Sequence, residues 1–96
     1  MLSVCLPWAA GRAEEAIRAD YRCLGRFDAS DVTALFFRRS PAEVVLLEGL
    51  QAVRLPQALA ASGARYSDGR DSFWVKGDQA SWSRGKAPTR QCIPRP

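Results

Sequence analysis

The sequence predicts an all-β domain, an antiparallel sheet of about eight short strands curled into a barrel or a sandwich. From Ile17 the chain alternates strictly, with Ile17, Ala19, Tyr21 and Cys23 on one side and Arg18, Asp20 and Arg22 on the other. That is the pattern of a half-buried strand. Beyond it, apolar and β-branched runs recur at short intervals with turn residues between them. No segment carries a long helical pattern, although Ala13 to Ala19 and Gln57 to Ala61 are rich enough in alanine for a single turn.

In order, the first strand is followed by a turn from Asp28 to Asp31 and a β-branched and aromatic run from Val32 to Phe37, which Arg39-Ser40-Pro41 breaks. Val44 to Leu47 resumes and Glu48-Gly49 turns the chain. Leu50 to Leu55 ends at Pro56, since proline removes a ladder donor. Ala60 to Tyr66 leads into a turn around Asp68-Gly69, Ser72 to Lys76 into Gly77-Asp78, and Ala80 to Arg84 into Gly85. A last short strand runs through Arg90 to Ile93.

Composition narrows the chemistry. The 96 residues, 47% hydrophobic and 25% charged, make one small globular domain whose core is marginal at this length. Histidine is absent, which removes Ser-His-Asp and Cys-His catalysis, histidine metal or haem sites and a histidine pH switch. No cofactor and no metal site is expected. The net charge of +4 rests on arginines dispersed along the chain, weak grounds for nucleic acid or membrane binding. No apolar run reaches the roughly 20 residues of a membrane-spanning helix.

The apolar stretch Met1 to Ala10, followed by Gly11-Arg12-Ala13, reads as the end of a secretory signal, so that residues 1–13 are a leader remnant and 14–96 the folded domain. The charged stretch that normally precedes such a segment is missing. A second reading makes Leu2-Ser3-Val4-Cys5 a degenerate lipoprotein box with Cys5 carrying lipid, and a membrane is then met only through that anchor. An ordinary cytosolic start is the third.

Cys23 lies on the first strand and Cys92 near the carboxyl terminus. A barrel brings its first and last strands together, so these two are expected to form a disulfide. The chain-entropy model assigns such a long loop roughly 4 kcal/mol as an upper figure. The bland alternative is three free thiols in a cytosolic core.

The most informative stretch is Ser62-Gly63-Ala64-Arg65-Tyr66-Ser67-Asp68-Gly69, with Phe73-Trp74-Val75-Lys76-Gly77-Asp78-Gln79-Ala80 after it. An SGxRY segment followed by an aromatic residue and then KGD resembles the membrane-bound and periplasmic inhibitors of c-type lysozyme from Gram-negative bacteria. Tyr21-Arg22-Cys23, Leu55-Pro56 and Cys92 extend the likeness over most of the chain, about Ala19 to Cys92. The resemblance implies an eight-stranded antiparallel β-barrel, not an enzyme, located in the periplasm and acting by inserting loops into the lysozyme cleft. Ser62 and Lys76 match the residues that meet the enzyme's catalytic carboxylates. Gly63, Arg65, Tyr66, Gly77 and Asp78 belong to the same candidate surface.

Two departures stand out. Val75 replaces a serine or threonine usual before the lysine. The domain is also basic, as c-type lysozymes are, so association is expected to lack electrostatic steering and to depend on close contacts.

The hairpin itself leaves alternatives open. A five-residue turn from Ser67 to Asp71 places Ser62 opposite Lys76 on one face, whereas a two-residue turn at Asp68-Gly69 places Ser62 opposite Val75. Taken singly, Ser62 is a turn former and Lys76 a solvated lysine. Tyr66 and Trp74 read chiefly as barrel packing, with interface contact second. Asp78 either orients Lys76 or bonds the local backbone. Two rival functions remain: a barrel binding single-stranded nucleic acid, and an enzyme using Asp68 and Asp71 as paired carboxylates. Turn chemistry around Gly69 accounts better for those aspartates.

Overall fold

A computed structural model describes residues 15–96. The leader reading of residues 1–13 and the lipid site at Cys5 lie outside the described residues. Eight strands follow in chain order: β1 (Ile17–Leu24), β2 (Ala29–Phe37), β3 (Glu43–Glu48), β4 (Gln51–Ala58), β5 (Ala64–Ser67), β6 (Asp71–Lys76), β7 (Gln79–Arg84) and β8 (Arg90–Pro94). Each pairs antiparallel with the next, and β8 closes on β1 to complete the barrel. Among the described residues there is no helix, so Ile17 to Ala19 lie in a strand and Gln57 to Ala61 form strand and loop instead. No helix among them is long and apolar enough to cross a membrane.

Alternation dictates the interior. Tyr21 and Cys23 of β1, Val32 and Ala34 of β2, Val44 and Leu46 of β3, Leu55 of β4 and Cys92 of β8 all point inward and are buried. Phe73 stands at the centre, with the rings of Tyr21 at 5.7 Å, Trp82 at 6.3 Å and Phe36 at 6.4 Å. The separations and the edge-on or tilted angles suit aromatic quadrupoles. Cys23 and Cys92 are cross-strand partners, fully buried, and form the expected disulfide across a sequence separation of 69.

Several boundaries move. β2 begins at Ala29, because the preceding turn closes early through the Gly25 amide donating to the Asp28 carbonyl at 2.7 Å. β4 runs through Pro56 instead of stopping at it. Its Gln57 amide donates to Ala42 beside β3, so the position before it faces the other edge. Along that edge the β4–β5 ladder has only the pairs Gln57 with Tyr66 and Ala58 with Arg65, and a missing donor at Pro56 breaks no bond. β5 begins at Ala64, not Ala60, because Gly63 turns the chain at a φ of 69°.

The antiparallel order puts the β1–β2, β3–β4, β5–β6 and β7–β8 turns at one end of the barrel, called here the lower end. The β2–β3, β4–β5 and β6–β7 connections gather at the upper end. Polar pairs plug the lower end from inside. Arg90 holds the Glu48 carboxylate with two bonds at 3.0 and 3.2 Å and donates to Ser30 Oγ at 2.7 Å. Arg84 pairs with Asp71 at 3.4 Å, and the Gly85 amide donates to Asp71 Oδ1 at 2.9 Å. Both guanidinium groups lie over the Trp82 ring, at 4.9 Å for Arg90 and 5.3 Å for Arg84.

Candidate functional site

The β5–β6 hairpin decides where the candidate residues go. Its turn centres on Gly69-Arg70, so Ser67 pairs with Ser72, Tyr66 with Phe73, Arg65 with Trp74 and Ala64 with Val75. This is neither of the two registers read from the sequence. The Asp68 carboxylate sets it by accepting the Arg70 amide at 2.9 Å and the Asp71 amide at 2.8 Å, while the Asp68 amide donates back to the Asp71 carbonyl. Those two backbone donors hold the Asp68 carboxyl below its ordinary value. Gly69 supplies the left-handed φ of 93° that the turn needs.

Consequently Ser62 and Lys76 are not cross-strand partners, and the argument that placed them opposite each other fails. They come together in another way, around Trp74. Along β6, Phe73 and Val75 point inward while Trp74 and Lys76 point outward, and Arg65 stands beside Trp74 on the neighbouring strand. The Lys76 ammonium lies 4.4 Å from the Trp74 ring centroid and the Arg65 guanidinium carbon 5.9 Å from it. The Trp74 indole N–H donates to the Ser62 carbonyl at 2.8 Å. Trp74 therefore faces outward instead of packing in the barrel, the placement that the sequence reading puts second. The signal was available, since Trp74 alternates with Phe73 and shares a face with Lys76 two residues on.

Gly63 makes the approach of the β4–β5 loop possible. A Cβ at Gly63 would collide with the Val75 carbonyl oxygen and come within 3.1 Å of Lys76 Cγ. Any larger residue would push Ser62 off the indole edge, quite apart from the strain of its positive φ. Arg65 also ties this loop, donating to the Leu59 carbonyl at 3.4 Å. Leu59 itself is 93% exposed, at the lip of an open cleft of about 620 Å³ that Pro41, Pro56 and Arg65 help to line.

Two other candidates are placed differently. Tyr66 points inward, only 8% exposed, with its ring 5.6 Å from Phe36, and burial raises its phenol above the ordinary value. It belongs to the core, as the packing reading held, and is not brought to the outer cluster. Val75 points inward as well and packs against the core, so the missing hydroxyl is not missing from the outer surface. Gly77 turns the β6–β7 hairpin at a φ of 63°. Among the described residues no hydrogen bond or ion pair joins Asp78 to Lys76. The Asp78 charge is felt instead by Tyr21, whose phenol is raised first by burial and then by that charge.

Lys76 is thus an exposed ammonium resting on an indole with no carboxylate pairing it among the described residues. No group of three or more metal-ligating side chains occurs among the described residues either. A disulfide-closed barrel that presents a pre-seated cation, a serine and a close-packed glycine turn at one rim defines a binding module.

Residues 21–91 match the family model described as membrane-bound lysozyme-inhibitor of c-type lysozyme. The chain belongs to that family. Its relatives include the membrane-bound lysozyme inhibitor of C-type lysozyme from Escherichia coli strain K12, 41% identical over 51 residues, covering 52% of this chain and 47% of the relative. The protein of the same name from Yersinia enterocolitica is 38% identical over 60 residues, covering 62% of this chain and 47% of that one. The matched part thus spans about half the length of these curated relatives. The fold is also that of Pseudomonas aeruginosa MliC, solved in complex with hen egg white lysozyme, with a TM-score of 0.58, 21% identity and coverage of 97% of this chain and 94% of that one.

Proposed function

We propose that this protein inhibits a c-type lysozyme by setting its upper rim into the enzyme's cleft, with Lys76 and the Ser62-Gly63 turn against the two carboxylates that carry out glycoside hydrolysis. The observation that supports this most is the unpaired Lys76 ammonium held on Trp74. Arg18, Arg22, Arg54, Arg84, Arg90 and Arg95 each meet an acidic side chain of the barrel itself, whereas the Lys76 ammonium lies on an aromatic ring at the upper rim. In a cleft from which a docked protein excludes water, a charge-assisted bond to a carboxylate is stronger than a surface ion pair. No covalent chemistry is required, and inhibition is stoichiometric and reversible.

The same pairing of arginines weighs against the nucleic-acid reading, which needs free cations along a stacking surface. It also leaves Asp71, buried and paired, and Asp68, bonded to its own turn, without a catalytic role. The membrane-bound name of the relatives supports a place at the cell envelope, with the domain in the periplasm. Residues 1–13 then serve as a leader, or Cys5 as a lipid attachment point. Amino-terminal sequencing of protein from the source cell checks this, and an intact Met1 refutes the cleaved leader. The decisive assay measures lysis by a c-type lysozyme with and without the purified protein. Loss of lytic activity at equimolar protein is expected, and no effect at micromolar protein refutes the proposal.

A further inference from the structure

We propose that Trp74 is the positioning residue of the contact surface: its indole N–H fixes the loop ahead of β5, and its ring holds the Lys76 ammonium ready for a carboxylate. The proposal rests on the role assigned to Lys76 above. It starts from where the ladder ends. The β5–β6 pairing stops at Ala64 with Val75, and Ser62 lies two residues beyond it. At that point the bond from Trp74 Nε1 to the Ser62 carbonyl, 2.8 Å long, joins the loop to β6. The other bond described for the loop, from Arg65 to Leu59, is longer at 3.4 Å.

A tryptophan serving only the core would point inward with Phe73 and Val75. Trp74 points outward and leaves the interior to them. Its ring carries two cations, Lys76 at 4.4 Å and Arg65 at 5.9 Å, which repel each other and are offset by the electron-rich aromatic face. An arriving anion meets both. The ring also restricts the long lysine stem before binding, so less side-chain freedom is lost when the partner docks. Ordering one such side chain in advance corresponds to about a threefold to tenfold gain in affinity.

The test uses the full chain, its Trp74→Phe and Trp74→Leu variants, and a c-type lysozyme. Phenylalanine keeps an aromatic shelf and removes the N–H, whereas leucine removes both. In the parent, NMR should show a Trp74 indole proton protected from exchange and Lys76 ε-methylene protons shifted upfield by the ring. Trp74→Phe should keep an upfield shift at Lys76 and inhibit about threefold to tenfold more weakly, and Trp74→Leu should lose the shift and inhibit roughly ten to a hundredfold more weakly. Both should melt within a few degrees of the parent, which a merely structural tryptophan would not allow.

An indole proton exchanging as fast as free tryptophan overturns the proposal, as does a Trp74→Leu variant that inhibits like the parent. If the parent inhibits no c-type lysozyme, it is the functional reading that fails. The exchange and chemical-shift results then decide by themselves whether Trp74 holds the loop and the lysine.

Discussion

The barrel carries two tryptophans on neighbouring strands, each with two cations against its ring, and the two sets do opposite things. Trp82 on β7 faces inward and is only 1% exposed, with Arg84 and Arg90 over it, and both arginines are also bound to carboxylates. That set closes the lower end. Trp74 on β6 faces outward with Arg65 and Lys76, and no carboxylate completes the lysine among the described residues. In one set both cations meet carboxylates of the chain itself, and in the other the lysine meets none among the described residues. The difference lies in strand parity: a side chain one position further along a strand sits on the opposite face of the wall.

The largest effect expected from separating the two sets is Lys76→Ala. Removing the ammonium leaves the partner's carboxylates facing a desolvated gap, which typically costs about 2 to 5 kcal/mol. Inhibition should weaken by roughly 30-fold or more, through faster dissociation. Thermal melting should match the parent, and a variant that inhibits equally well would remove Lys76 from the site.

Next comes Arg90→Ala at the closed end, where the outcomes exchange places. Glu48 would lose a bidentate partner in a setting where its side chain is 23% exposed. An uncompensated buried charge costs about 3 to 5 kcal/mol, and partial hydration reduces that to roughly 2. A fall in melting temperature of about 10 °C is expected, with inhibition unchanged once the protein is folded.

A smaller effect follows from pH. The Arg90 bonds hold the Glu48 carboxyl below its ordinary value, so the folded state favours the ionised form. That contribution is complete above the unfolded glutamate's titration and is lost as pH falls through the folded one. Melting curves of the parent should therefore drop in acid more steeply than those of Glu48→Gln, and equal slopes would contradict the assignment.

The smallest effect is Ser62→Ala. The bond that places this residue uses its carbonyl, which alanine retains, so only the hydroxyl proposed to meet the enzyme is lost. About 1 kcal/mol, or a severalfold weaker inhibition, is expected in the lytic assay, with melting unchanged.

The barrel was legible because its evidence is local: alternation from Ile17, turn residues at short spacing, and two cysteines at the ends of the sheet. The motif around Ser62 and Lys76 was legible for the same reason. The hairpin register was not, because a carboxylate set it by capping two amides, and the letters Asp-Gly suit several turns equally. A one-residue error there set Ser62 directly opposite Lys76, and Trp74, whose bulk invited a core assignment, was left among the packing residues. The plug of Arg84, Arg90, Glu48 and Asp71 was also unread, since charged residues on an inward parity become visible only when the partners from distant strands are known.

The β4–β5 ladder, two residue pairs long, lies across the barrel from the disulfide that fastens β8 to β1. A ring with one welded joint and one thin joint opens in a fixed place. Amide exchange should therefore run ahead of global unfolding at Ala58 and Arg65, whose amides face that seam, and the opened form is a single continuous eight-stranded sheet instead of two fragments. Its new borders are β4, blunted by Pro56 and Arg54, and the very short β5, neither of which templates aggregation well. The clasp of this barrel sits beside the loop that carries Ser62, so breathing of the wall there would carry the upper rim with it.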